Sequence, residues 1–315
     1  MRHSSKALIL LLIFALPSLP ACFKQVATKA STQIFYDSLP TIDAESDVEM
    51  AEKSSFGFIK MLEGFYRQNP KDKTTLLLLT RAYSSYTFGF TENEILKNKG
   101  INGAEYNKQM ERAKLFYDRA HKYGLELLNL LPGMKGANDK TTDEFIKSLQ
   151  GLGKDQVEKL FWIGFAWGNY LNYNKDSVEA IAEAPRAEAI MNRINELQPG
   201  YYYGGPDMFL GAYYGSRPTL LGGNPPLAKE HFDKAIQSTD GKNLMASVMK
   251  AQYYAVQTQD EALFKSLLEQ VTQADAAAMP EIRLMNELAK IRAQILLDRK
   301  SLFFTGTEPA KKSRR

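Results

Sequence analysis

The sequence predicts an all-α fold of stacked helical hairpins, and three observations carry that prediction. Apolar residues recur at spacings of three and four rather than two along most of the chain. Glycines and prolines fall mainly between the resulting segments, where they end helices. A pattern of small, aromatic and small residues recurs, most clearly in Ala228, Phe232 and Ala235. That spacing marks the second helix of a tetratricopeptide repeat, in which small side chains let paired helices approach and the ring fills a neighbouring groove. The resulting fold class is a degenerate tetratricopeptide-like helical-hairpin solenoid with insertions and a C-terminal capping helix.

In chain order, residues 1–21 read as an export signal. Arg2 and Lys6 precede the apolar run at 7–16, and Ala21 stands just before Cys22, the only cysteine. The run is too short to span a bilayer. Leu19, Pro20, Ala21 and Cys22 form a lipobox and resemble the bacterial lipoprotein pattern, which implies acylation of Cys22 and a membrane anchor made of lipid. Residues 22–33, small and polar, read as a tether. The helical domain is assigned to 34–300 and a basic, disordered tail to 301–315.

Within the domain, a first helix over 47–68 carries Met50, Phe58, Met61, Leu62 and Phe65 at helical spacing, and Asn69 and Pro70 end it. A second, over 74–90, carries Leu76, Leu79, Tyr83, Tyr86 and Phe90. Ala113, Tyr117 and Ala120 repeat the tetratricopeptide spacing, and Ala187, Met191 and Ile194 repeat it more weakly. Lys250, Ala251 and Tyr254, then Leu263 and Leu267, continue it. Thr141 and Thr142 followed by Asp143 and Glu144 read as a helix start with first-turn acids. A last helix over 280–299 offers the stripe Ile282, Met285, Leu288, Ala289, Ile291 and Ile295 to cover the final open face.

Two segments are unusual for a plain repeat. Residues 161–173 crowd aromatic side chains, including both tryptophans, around Gly164 and Gly168. Ile163, Trp167 and Tyr170 form one stripe and Trp162, Phe165 and Tyr173 another, so the helix is either buried all round or lines an apolar cavity. Residues 200–227 are rich in glycine, tyrosine and proline and read as a short helix over 206–214 with a turn at Gly222 and Gly223. Arg217, next to Tyr213 and Tyr214, either binds an anion or stacks on tyrosine.

Composition narrows the function. With 44% hydrophobic and 24% charged residues the chain is globular. A net charge of +4, partly from the tail, does not indicate nucleic acid binding. His121 and His231 stand outside any metal-binding spacing, and His231 reads as a surface residue beside Glu230 and Asp233. No nucleophile elbow or triad context appears. The sequence thus reads as a non-enzyme without metal or cofactor.

The segments 47–90, 160–170 and 204–235, the last containing GGPDMFLGAYYGSRPTLLGG followed by AKEHFDKA, resemble the TRAP-transporter T components, the TatT lipoproteins. The first helix departs from that family's more regular pattern at Ser54, Ser55, Phe56 and Gly57. The resemblance implies a periplasmic helical repeat protein that pairs with a TRAP-type solute-binding protein, the P component. It also implies a homo-oligomer, namely a trimer, and a pore through each subunit for a small organic acid or apolar ligand. Carried onto this chain, the ligand or pore candidates are Tyr83, Tyr86, Phe90, Trp162, Trp167, Tyr170, Tyr213, Tyr214 and Arg217. Phe23 after the cysteine, in place of aspartate, assigns the lipoprotein to the outer membrane of a diderm bacterium, facing the periplasm. Two other readings use the same helices: a general repeat scaffold for outer-membrane or cell-wall assembly, which needs no cavity, and an independent lipid carrier, which needs no partner.

Overall fold

The computed structural model describes residues 19–304, with side chains from residue 27 onward. Residues 1–18 of the expected export signal, the Cys22 thiol and residues 305–315 lie outside the described set. Among the described residues there are helices and no strands.

The helices are α1 (Leu19–Asp37), α2 (Leu39–Asp43), α3 (Val48–Gln68), α4 (Lys73–Tyr86), α5 (Glu92–Asn98), α6 (Gly103–Asn129), α7 (Thr142–Leu149), α8 (Val157–Tyr173), α9 (Val178–Ala182), α10 (Ala184–Leu197), α11 (Tyr201–Gly215), α12 (Pro225–Gln237), α13 (Leu244–Met249), α14 (Glu261–Gln273) and α15 (Arg283–Asp298). Local sequence starts many of them. Asp47, Asp72, Asn102, Asn224 and Asp260 each accept a hydrogen bond from the backbone N–H three residues on. Thr141 and Glu144 form a capping box at the start of α7.

Long helices pack on their neighbours in the chain: α3 on α4, α4 on α6, α6 on α8, α8 on α10, α10 on α11 and α11 on α12. The repeat residues mediate this packing. Ala113, Tyr117 and Ala120, then Ala187, Met191 and Ile194, then Ala228, Phe232 and Ala235 are all buried. In α14 the register differs by one residue from the expected one. Phe264 and Leu268 are buried, whereas Leu263 and Leu267 are half-buried, and the buried Phe264 packs edge-on to Phe304.

Three further differences concern the chain ends and the first helix. Residues 27–33, expected in the tether, belong to α1, where buried Thr32 donates to Asp72 and the helix packs on α3 and α4. Phe303 and Phe304, expected in the disordered tail, pack against Phe264. In α3, Met50 and Met61 are exposed, and Ala51, Ile59 and Leu62 form the buried face.

Helix α15 covers α13 and α14 and also contacts α2, α3 and α5 at the other end of the chain, so the array closes into a ring. Arg292 fastens the closure. Fully buried, it donates from Nε to Asn93 Oδ1 at 2.7 Å and from Nη2 to the Phe88 carbonyl, and it lies 3.3 Å from Glu92 Oε2. Glu92 in turn accepts from the Tyr117 hydroxyl at 2.7 Å. The predicted stripe on this helix is partly displaced. Ile291 is exposed, and the buried face runs through Asn286, Ala289, Arg292, Ala293 and Leu296.

Two π-helical segments, Thr87–Thr91 and Lys250–Ala255, interrupt the α-helical register. Such segments are frequent at functional sites. Both border the hollow inside the ring, where Phe88, Gly89, Phe90 and Tyr253 face a cavity.

Candidate ligand cavity

The ring encloses a cavity of about 990 Å³, which falls at the upper end of the range for small-molecule sites. Helix α8 supplies Phe161, Trp162, Phe165, Asn169 and Asn172, and α11 supplies Tyr202, Phe209 and Tyr213. Phe35, Leu39 and Phe58 line the N-terminal side, and Met245, Met249, Met285 and Leu288 line the C-terminal side. The lining reaches exposed apolar side chains in two separate places. One is at Ile42, 38% exposed; the other is at Ile181 and Leu221, 55% and 70% exposed.

The two glycines of α8 give that helix its close neighbours. A side chain at Gly164 would press on Ile190 and Met191 of α10, and one at Gly168 would overlap the Phe209 ring. The far edge of the Phe209 ring thus sits against Gly168, and the ring lines the cavity. At the start of α11, Tyr202, Tyr203 and Gly204 take left-handed backbone angles, φ 45°, 57° and 83°. That conformation is costly for tyrosine. It is held by Asn243, which donates to the Tyr203 carbonyl at 2.9 Å, and it drives the Tyr202 ring against Trp162, 5.1 Å between centroids.

Arg81 lies beside these rings, 4.9 Å over Trp162, and bonds Asp43 at 2.5 Å. Burial opposes its charge, but Tyr202, Asp43 and Glu158 outweigh that and hold the guanidinium ionised. Tyr86 is pushed up to about 12, chiefly by burial, so it remains a neutral phenol at the wall. Around Arg81 the wall is therefore aromatic with its charge neutralised, a surface suited to binding apolar matter.

Of the sequence candidates, Tyr86, Phe90, Trp162, Tyr213 and Arg217 line the cavity. Four others serve the packing around it. Tyr83 donates to Glu63 at 2.6 Å and stands edge-on to Phe116. Trp167 donates to Glu183 at 2.9 Å and meets Phe145 edge-on. Tyr170 stacks on His121 at 4.1 Å. Tyr214 donates to Glu188 and stacks on His231. The expected surface position of His231 is not found: the ring is mostly buried, with Nδ1 2.7 Å from Asp207 Oδ1. Arg217 stacks on Tyr213 at 3.7 Å and also lines the cavity, so both of its sequence readings remain compatible with its position.

Sequence reasoning missed Phe35, Phe88, Phe209, Met245 and Met249. Phe88 was hidden because the π segment shifts the register by one residue. Phe209 had a signal, a glycine facing it on α8, that only pairing the two helices reveals. Among the described residues no cluster of three or more His, Cys, Asp or Glu side chains is placed to hold a metal, and no helix is long and apolar enough to cross a membrane.

An uncharacterized protein of Treponema pallidum (strain Nichols) is 22% identical over 264 residues, covering 80% of this chain and 79% of its own. The family model described as TRAP transporter T-component matches residues 44–304, a span that begins just after α2 and ends at buried Phe304. The chain belongs to the TRAP transporter T-component family, and with it to the accessory machinery of a TRAP system.

Proposed function

We propose that the protein is a lipid-anchored T component, tethered through Cys22 to the outer membrane and facing the periplasm. There it binds the solute-binding P component and shelters or passes a small organic acid or apolar ligand through its cavity. The observation that carries this reading is the aromatic cavity inside the closed ring, with exposed apolar residues at two separated parts of its lining. A scaffold alone has no need of such a hollow. The anchor holds the ring near its partner and raises the effective concentration without new contacts.

The test is capture of the cognate TRAP solute-binding protein by the purified full chain, with the mass of the complex read by light scattering. A complex built on a trimer of this chain is expected. A folded protein that captures no such subunit overturns the reading and returns the protein to the class of general scaffolds. Cys22→Ser is expected to keep the helical circular dichroism and to leave the membrane fraction; retention in the membrane overturns the anchor.

A further inference from the structure

A second, smaller hollow of about 530 Å³ adjoins the large one and shares Asn172, Lys175, Ser216, Arg217 and Tyr253 with it. Its own wall is more polar, with Glu92, Gln252 and Gln257. Two cations therefore stand where an aromatic chamber meets a polar one.

We propose that Lys175 and Arg217 form a carboxylate site, and that the ligand is an amphiphilic monocarboxylate with its headgroup at this junction and its apolar chain along the aromatic wall. The proposal rests on the reading that the large cavity holds ligand.

Elsewhere the structure neutralises its buried cations. Arg81 pairs with Asp43, Lys250 with Asp233 and Arg292 with Glu92. Lys175 and Arg217 have no carboxylate within ion-pair distance among the described residues, although each faces the other. Glu188, which also neighbours Tyr213, accepts from the Tyr214 hydroxyl. Lys175 keeps solvent access, yet surrounding protein and then the Arg217 charge lower its pKa. Like charges beside an apolar wall are unfavourable in the empty site, and an anion between them reverses that sign.

Arg217 is held in place for the task. Its guanidinium lies 3.7 Å over Tyr213, and its carbonyl accepts from Gln257 Nε2 at 2.8 Å. The loop behind it closes through Gly223 N–H to the Pro218 carbonyl at 3.1 Å and Asn224 N–H to the Tyr214 carbonyl at 3.0 Å. A fixed guanidinium fork with a mobile ammonium beside it suits one planar carboxylate.

Dodecanoate and dodecanol, which share a chain and differ in the headgroup, test this by calorimetric titration of the full chain at mildly alkaline pH. Dodecanoate is expected to bind at least about tenfold tighter, the size of one charge-assisted contact. Lys175→Met with Arg217→Gln is expected to abolish that preference while dodecanol still binds and the thermal midpoint does not fall, and Lys175→Arg is expected to preserve it. Equal binding of both probes, or a preference that survives the double variant, overturns the carboxylate site and leaves the cavity reading standing. Binding of neither probe overturns both.

Discussion

Buried on α6 against Tyr170, the His121 ring has its pKa lowered by desolvation from 6.5 to about 3. Its Nε2 has no hydrogen-bond partner among the described residues. As pH falls below about 6.5 the unfolded chain takes up a proton at this residue and the folded one does not. His121 thus withdraws stability on the acid side, by up to ~1.4 kcal/mol per pH unit until the folded ring also titrates. His121→Phe keeps the stack without the titration, so urea unfolding of that variant is expected to weaken less between neutral pH and pH ~4. The two tryptophans separate by location. Trp167→Ala is expected to cost ~3–5 kcal/mol in urea unfolding, since Trp167 is buried between Phe145 and Glu183. Trp162→Phe is expected to change dodecanol affinity at nearly unchanged stability, and Trp167→Phe to leave that affinity as it was, both read by calorimetry.

Among the elements, the start of α11 depends on a neighbour for its shape. Asn243 is fully buried, donates to the Tyr203 carbonyl and caps α13 through the Met245 N–H. Asn243→Ala removes the cap and leaves a carbonyl of a left-handed tyrosine without its donor, an expected loss of ~2–4 kcal/mol in chemical unfolding. The repeat helices were legible because alanine and a ring at fixed spacing report one packing geometry, and all three triplets are buried where they were expected. The left-handed run was not legible: the helix was expected to start at 206, and nothing local says that Tyr202 and Tyr203 must take left-handed angles before it. The π segments were invisible for a similar reason. An extra residue in a helical turn leaves an apolar pattern that still reads as α-helix, so Phe90 was found as a cavity residue whereas its neighbour Phe88 was passed over.

At the scale of the whole molecule, ring closure depends on Arg292, whose three partners lie roughly two hundred residues upstream. Arg292→Met is expected to destabilise by ~3–5 kcal/mol, because Glu92 is left buried without its cation, with only the Tyr117 and Tyr173 hydroxyls beside it. Hydrogen exchange should rise together at residues 87–98 and 283–298, since each is the other's support. The sequence carried the helix over 280–299 and its task of covering the array, but not its return to α2, α3 and α5. Charge pairs so far apart in the chain leave no trace in periodicity. The same gap explains the site: the aromatic helix was visible as a candidate wall, whereas the opposite wall came from the far end of the chain.

That return also sets the order of events in assembly. An open row of helical pairs can fold from any point outward through contacts between neighbours. Here α5 packs on α6 early but gains its second support only when α15 has emerged, so the hollow has no floor until the chain is nearly complete. Long-range pairings of this kind slow folding because loop closure precedes any reward. In the interval the rings of Phe88, Phe90 and Trp162 lack a covering side, and the chain is a client for holding factors until its last helix docks.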